Sequence, residues 1–321
     1  MTPETTTAEG DHERPLFIVL NAASGNQDCQ EARDIIARVL GAAGRRHEID
    51  MVRRGADIPA AARRAAARAR SEGGAVVAAG GDGTINAVAQ AAHDAGCPMG
   101  VVPQGTFNYF SRTHHIPLET EADTLALLAA RPAPVQVGEV NGRLFLVNAS
   151  LGLYPELLED REKFKARFGR HRVVALFSAL VTVLREHRQL RLRIESAGQV
   201  RDVRTSTLFV GNNRLQLQQV GLSEARAIEH GRVAGVMLKP MGNFALLRLL
   251  LRGAMGSLGE DGRVESFEFE RMTVSPWLPY GRRRSKVAAD GEVSWLRSPL
   301  TFAVSSKPLY LLKTPDAAAP V

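Results

Sequence analysis

The chain has 321 residues, 45% hydrophobic and 23% charged, a globular composition whose length suits two domains rather than a single small module. Met1 to Arg14 lacks the apolar run of a secretory signal, and the longest uncharged apolar stretch, Val173 to Leu184, is too short to span a bilayer. Cys29 and Cys97 are too few for a disulfide framework or a cysteine-based metal site and fit a reducing cytoplasm. The net charge of +7 gathers between Asp160 and Arg204, where 12 Lys/Arg face 5 acids. Such a segment attracts anionic lipid or nucleic acid through the same field, or forms a solvated helix face.

In chain order, Leu16 to Leu20 is a short apolar strand followed by Ala32, Ile35, Ile36, Val39 and Leu40 at helical spacing. The unit recurs with a strand at Glu48 to Val52 and a helix from about Ile58 to Arg70. It recurs again with Ala75 to Ala79 and the helical series Ile85, Val88, Ala89 and Ala92. Met99 to Val102 predicts a fourth strand and Ala122 to Ala130 a further helix. Short, wholly apolar strands alternating with helices predict a parallel sheet covered on both faces.

After Arg131-Pro132-Ala133-Pro134 the texture changes. Strands Val135 to Val140 and Leu144 to Asn148 flank Asn141-Gly142, a strong hairpin signal. Further strands are expected at Leu190 to Ile194, Thr205 to Val210, Val233 to Leu238, Val264 to Glu270, Lys286 to Ala289 and Leu300 to Val304. Helices are expected near Arg172 to Arg188 and Phe244 to Ser257. The fold class expected is α/β: a parallel α/β sandwich followed by a mainly antiparallel β-sandwich.

Gly80-Gly81-Asp82-Gly83-Thr84 joins an apolar strand to an amphipathic helix. Its glycines allow turn conformations and close approach to a ligand, and the helix N-terminus supplies unpaired N–H groups to a phosphate. Thr84 suits a helix cap or a phosphate contact, and Asp82 a Mg²⁺ ligand or proton acceptor. Asn21-Ala22-Ala23-Ser24-Gly25 and Pro103-Gln104-Gly105-Thr106-Phe107-Asn108 leave the same sheet edge, so the three loops describe one nucleotide-phosphate crevice. Neither a Walker A motif nor a dinucleotide fingerprint is present. Asp290-Gly291-Glu292 reads equally as a hairpin turn or as the carboxylates that phosphoryl transfer needs for metal and proton. The histidines, His114-His115 among them, show no metal-ligand spacing.

This ordered set resembles the bacterial diacylglycerol kinase-like lipid kinases, relatives of sphingosine and ceramide kinases. The likeness runs from Leu16 to Leu312 and rests on Asn21 to Gly25, Gly80 to Thr84, Pro103 to Arg112, Asn148 to Gly152, Val210 to Asn213 and Asp290 to Glu292. It implies an ATP-dependent lipid kinase using Mg²⁺, with a nucleotide site at Asn21, Ser24, Gly25, Gly80, Gly81, Asp82, Gly83, Thr84, Asn86, Gly105, Thr106 and Asn108. Asp82, Asp290 and Glu292 are the expected catalytic residues: Asp82 positions Mg²⁺ or the acceptor, Asp290 is the base and Glu292 its support. The domains expected are a nucleotide-binding domain at 15–133, rejoined by a strand at about 305–313, and a lipid-acceptor domain at 134–304, with tails at 1–14 and 314–321. A lipid acceptor lies between the domains in this scheme. The partner surface is an anionic membrane, held peripherally from the cytoplasm, not nucleic acid, and a homodimer stays open.

Three positions depart from the family pattern. Ala87 stands where many members carry a ribose-contacting Glu, Met51 where a nucleotide-contacting Thr is expected, and His230 near an Asp of a structural Mg²⁺ site. Two rivals follow: an NAD-kinase-like phosphotransferase, and a non-catalytic lipid-binding protein with a decayed nucleotide site.

Overall fold

The computed structural model describes residues 14–22, 26–152, 189–278 and 283–315. The chain divides into two compact units, 1–135 with 307–321, and 136–306.

The first unit holds a six-stranded sheet. Its strands are β1 (Leu16–Asn21), β2 (His47–Val52), β3 (Ala75–Gly80), β4 (Met99–Pro103), β5 (Arg131–Val135) and a late strand, Leu309–Lys313, in the order β2-β1-β3-β4-late strand-β5. All pairs are parallel except that of β5 with the late strand. β3 and β4 are buried at every residue, as strands covered on both faces must be. Helices α1 (Asn26–Ala42) and α5 (Thr120–Ala129) pack together, as do α2 (Ile58–Ser71) and α3 (Asp82–Ala95), while α4 (Tyr109–Thr113) follows β4. α2 shows how the sequence selects a face, since Ala61, Ala62, Ala66 and Ala69 are buried while Arg63, Arg64 and Arg68 point out. Arg131 to Pro134, in the sequence a mere change of texture, begins the edge strand β5, where Pro132 and Pro134 cost nothing because an edge leaves N–H groups unpaired.

The second unit is antiparallel throughout its described pairings. Its strands are β6 (Gly138–Val140), β7 (Arg143–Phe145), β8 (Asn148–Gly152), β9 (Leu190–Ser196), β10 (Gln199–Thr205), β11 (Thr207–Gly211), β12 (Val233–Leu238), β13 (Val264–Phe269), β14 (Arg271–Pro276), β15 (Arg284–Ala289), β16 (Glu292–Arg297) and β17 (Leu300–Val304); the late strand of the first unit is β18. They form two sheets, β10-β9-β14-β17-β6-β7 and β13-β12-β11-β8-β15-β16. One core, including Phe145, Leu192, Ile194 and Phe302 from the first and Leu208 and Val210 from the second, is buried between them. Among the described residues two helices belong here, α6 (Arg214–Gln219) and α7 (Asn243–Ala254), with an eight-residue 3-10 helix at Ser223–His230.

Both the α/β class and the division into a parallel-rich part and an antiparallel part agree with the sequence reading. Four strands, β8, β10, β14 and β16, were not expected, since the strand read at Leu144 to Asn148 ends where β8 begins, and the single strand read at Val135 to Val140 is broken between β5 and β6. The helix expected near Arg172 to Arg188 lies outside the described residues.

Candidate active site

β1 connects to β2 on one side of itself and has β3 on the other, so the strand order reverses between β1 and β3. Open α/β sheets bind ligands beyond the carboxyl ends of the strands at such a point. Asn21 ends β1, Gly80 ends β3, and Pro103 ends the adjoining β4.

These ends are tied together. Asn21 Nδ2 donates to Thr84 Oγ1 at 3.0 Å. Gln104 N donates to Gly80 O at 2.9 Å, which carries the β3–β4 pairing into the loops. A Cβ on Gly80 would stand 2.7 Å from Thr84 Oγ1, and one on Gly105 would stand 2.6 Å from Asn108 Oδ1 and 3.2 Å from Gly81 Cα. The expectation that turn conformation explains the glycines of Gly80 to Thr84 is corrected here: none of Gly80, Gly81 and Gly83 has a left-handed φ, and neither has Gly105. At Gly80 and Gly105, contact distance is the reason for glycine.

The left-handed residue is Asn108 (φ 50, ψ 40), which precedes α4. Its side chain closes a ring on Gly105, accepting from Gly105 N at 3.1 Å and donating to Gly105 O at 2.8 Å. A short amide side chain of this kind tolerates the left-handed region, and these two bonds fix the loop's shape. Asn108 is 5% exposed, so it shapes the loop from beneath, whereas Thr106 is exposed on it. Sequence reasoning missed this bracketing role, although its signal, Asn three residues after Gly105, was present.

Asp82 opens α3. Its carboxyl is pushed up from the usual carboxylate range by burial, against the opposing pull of the Asn108 backbone amide. Asp82 Oδ1 is buried without a hydrogen-bond partner. A buried oxygen left this way costs free energy until something meets it. Gly81 caps α3 without any side-chain hydrogen bond, so Thr84 does not act as the cap. The N–H groups of Asp82, Gly83 and Thr84 precede the first intrahelical bond, from Ile85 N to Gly81 O at 3.0 Å. Asn86 is buried on the next turn, and Ala87 beside it is half-buried. Met51 packs against the core of the first unit. Ser24 and Gly25 lie outside the described residues.

Asp290 and Glu292 belong to the second unit. Asp290 (φ 47) and Gly291 (φ 86) form the turn between β15 and β16, as the hairpin reading expects. Asp290 Oδ2 accepts from Leu146 N at 2.6 Å, and Oδ1 accepts from Val147 N and Asn148 N, both at 2.9 Å. The carboxylate thereby clamps the connection from β7 to β8. Glu292 is exposed and accepts from Arg143 Nη2 at 2.8 Å. His230, in the second unit, bonds through Nδ1 to Arg226 O.

Residues 15–140, which contain all the loops of the first unit described above, match the diacylglycerol kinase catalytic domain. The chain is 37% identical over 145 residues to a YegS-like lipid kinase of Pseudomonas aeruginosa, covering 44% of this chain and 45% of that protein. It is 42% identical over 101 residues to the diacylglycerol kinase of Bacillus subtilis, covering 30% and 33%. The chain thus matches less than half the length of these relatives. A Bacillus anthracis crystal structure, described as that of a candidate diacylglycerol kinase, superposes with a TM-score of 0.70 at 19% identity over 95% of this chain and 98% of that one, which shows a common fold.

Proposed function

We propose that the chain is an ATP-dependent lipid kinase that moves the γ-phosphoryl group to a hydroxyl of diacylglycerol or a related lipid. The observation that carries this reading is the unpartnered, buried Oδ1 of Asp82 beside the uncapped N-terminus of α3 at the switch point of a diacylglycerol kinase catalytic domain. The N–H groups of Asp82, Gly83 and Thr84 meet the phosphates and the helix dipole favours their charge. Asn21 acts through Thr84, and Asn108 through Gly105, to hold the loops at the distances described.

Mg²⁺ fits this donor set. The ion keeps several waters and takes one or two carboxylates together with substrate phosphates, so Asp82 Oδ1 suffices as its protein ligand. No group of three or more His, Cys, Asp or Glu that could cage a metal occurs among the described residues. When bound, the ion neutralises charge on the transferring phosphoryl group. The raised carboxyl of Asp82 also suits it to accept the proton of the acceptor hydroxyl, and the two roles exclude each other at one oxygen.

In the Asp290 turn we divide the labour differently from the sequence expectation. Three amide donors already hold the Asp290 carboxylate, so it sets the turn, and exposed Glu292 is the carboxylate an acceptor can reach once it leaves Arg143. Catalysis then comes mainly from positioning and charge stabilisation.

The test is a panel of acceptors, with extracted membrane lipids, diacylglycerol, ceramide and NAD each offered with γ-labelled ATP. Label in a lipid phosphate is expected. Label in NAD alone supports the NAD-kinase-like rival, and no transfer together with no thermal protection by ATP supports the non-catalytic one.

A further inference from the structure

The only two tryptophans of the chain, Trp277 and Trp295, are 65% and 54% exposed on the second unit. Both line one cleft of about 460 Å³ with a floor that includes Leu151, Leu190 and Leu192. Neither ring is a loose ornament. Trp277 N donates to Arg191 O at 2.9 Å, which pins that residue to β9, and Trp295 stands opposite Lys286 in the β15–β16 register with the ammonium 5.5 Å from its ring centre.

The polar groups around these rings are cationic. Arg191, Arg284 and Lys286 line the cleft, and Arg204 lines the adjoining recess beside Trp277. Asp202, the acid among the residues described as lining the two, is bonded by Arg193 at 3.0 Å.

We propose that this face docks on an anionic membrane surface. Indole rings favour the boundary between hydrocarbon and water, and clustered cations attract anionic headgroups; the two features on one face match that boundary in polarity and charge. A second copy of the chain fits poorly, because a self-complementary interface would set these cations against themselves. The inference deepens the lipid-kinase reading and rests on it.

With both tryptophans on this face, intrinsic fluorescence reports on nothing else. Full-length protein is titrated with phosphatidylcholine vesicles, with and without phosphatidylglycerol, whose acyl chains are brominated. Blue-shifted, quenched emission with the phosphatidylglycerol vesicles is expected, fading as salt rises. Trp277→Ala with Trp295→Ala should weaken co-sedimentation by about tenfold. Co-sedimentation without quenching would overturn the proposal by placing contact elsewhere. So would shielding of both tryptophans from iodide without vesicles, which means the cleft is covered by the chain or by a second copy, or a response to single-stranded DNA alone. Phosphoryl transfer to diacylglycerol in detergent micelles is measured in parallel, so that loss of docking with transfer intact is told apart from failure of the kinase reading.

Discussion

Asp123→Asn isolates one buried carboxyl in the first unit. Asp123 lies on α5, is 2% exposed, and has Oδ2 without a hydrogen-bond partner. It lines a small cavity with His114, His115 and Lys313. Burial alone pushes its carboxyl up to about 8, from an ordinary value of 3.8. The folded chain therefore keeps a proton that the unfolded chain releases once pH passes the lower value. Stability falls as pH rises between these limits, by about 1.4 kcal/mol per unit, because the unfolded state binds fewer protons there. At pH 7, about 3 units into the window, the cost is on the order of 4 kcal/mol. Asparagine carries no ionisable group and abolishes the slope. Thermal unfolding of both proteins, followed by circular dichroism from pH 4 to 8, should show near-equal stability at pH 4. At pH 7 the variant should melt roughly 10 °C higher, at about 2 to 4 °C per kcal/mol. Other titrating groups cancel in the difference. Parallel pH profiles for the two proteins would refute the reasoning.

Gly81→Val should fold normally, because φ −83 and ψ −178 suit any residue and its Cβ meets only Gly105 Cα at 3.7 Å, yet it should lose ATP binding by filling phosphate space; calorimetry with ATP checks both. Ala87→Glu should tighten ATP by about 1 kcal/mol, the worth of one ribose hydrogen bond, and weaker binding would show a different nucleotide contact. Asp290→Ala should destabilise the chain by about 3 kcal/mol by stranding three amides, whereas Glu292→Gln, which removes a solvent-exposed pair, should cost less than about 1 kcal/mol and still lower phosphoryl transfer. Urea unfolding beside the kinase assay separates these two effects.

Apolar patterning located the buried elements well. Val233 to Leu238 and Leu300 to Val304 are strands over the spans the sequence predicts, because each is wholly or mostly apolar and the flanking residues are not. β10, β14 and β16 escaped for the opposite reason. β10 is exposed at five of seven residues and β16 carries charge at both ends, so they read as solvated chain although their ladders are made. The Asn141-Gly142 hairpin was legible because its chemistry is local (φ 50 and 79). At the site, the glycines and Asp82 were legible from spacing. The amide clamp on Asp290 was not, since its donors lie more than 140 residues away, nor was the burial of Asp123, which sits among polar neighbours in sequence.

The central claim is that Asp82 works on a phosphoryl group passing from ATP to a lipid hydroxyl. Wild-type protein and Asp82→Asn, matched for thermal unfolding, are given γ-labelled ATP, Mg²⁺ and the acceptor lipid, and label in the lipid phosphate is counted. The account predicts transfer by the wild type and a fall of at least about 100-fold in the variant, which keeps the shape of the carboxyl but not its charge. Transfer within a few-fold of wild type, by a variant that binds ATP normally, would contradict it.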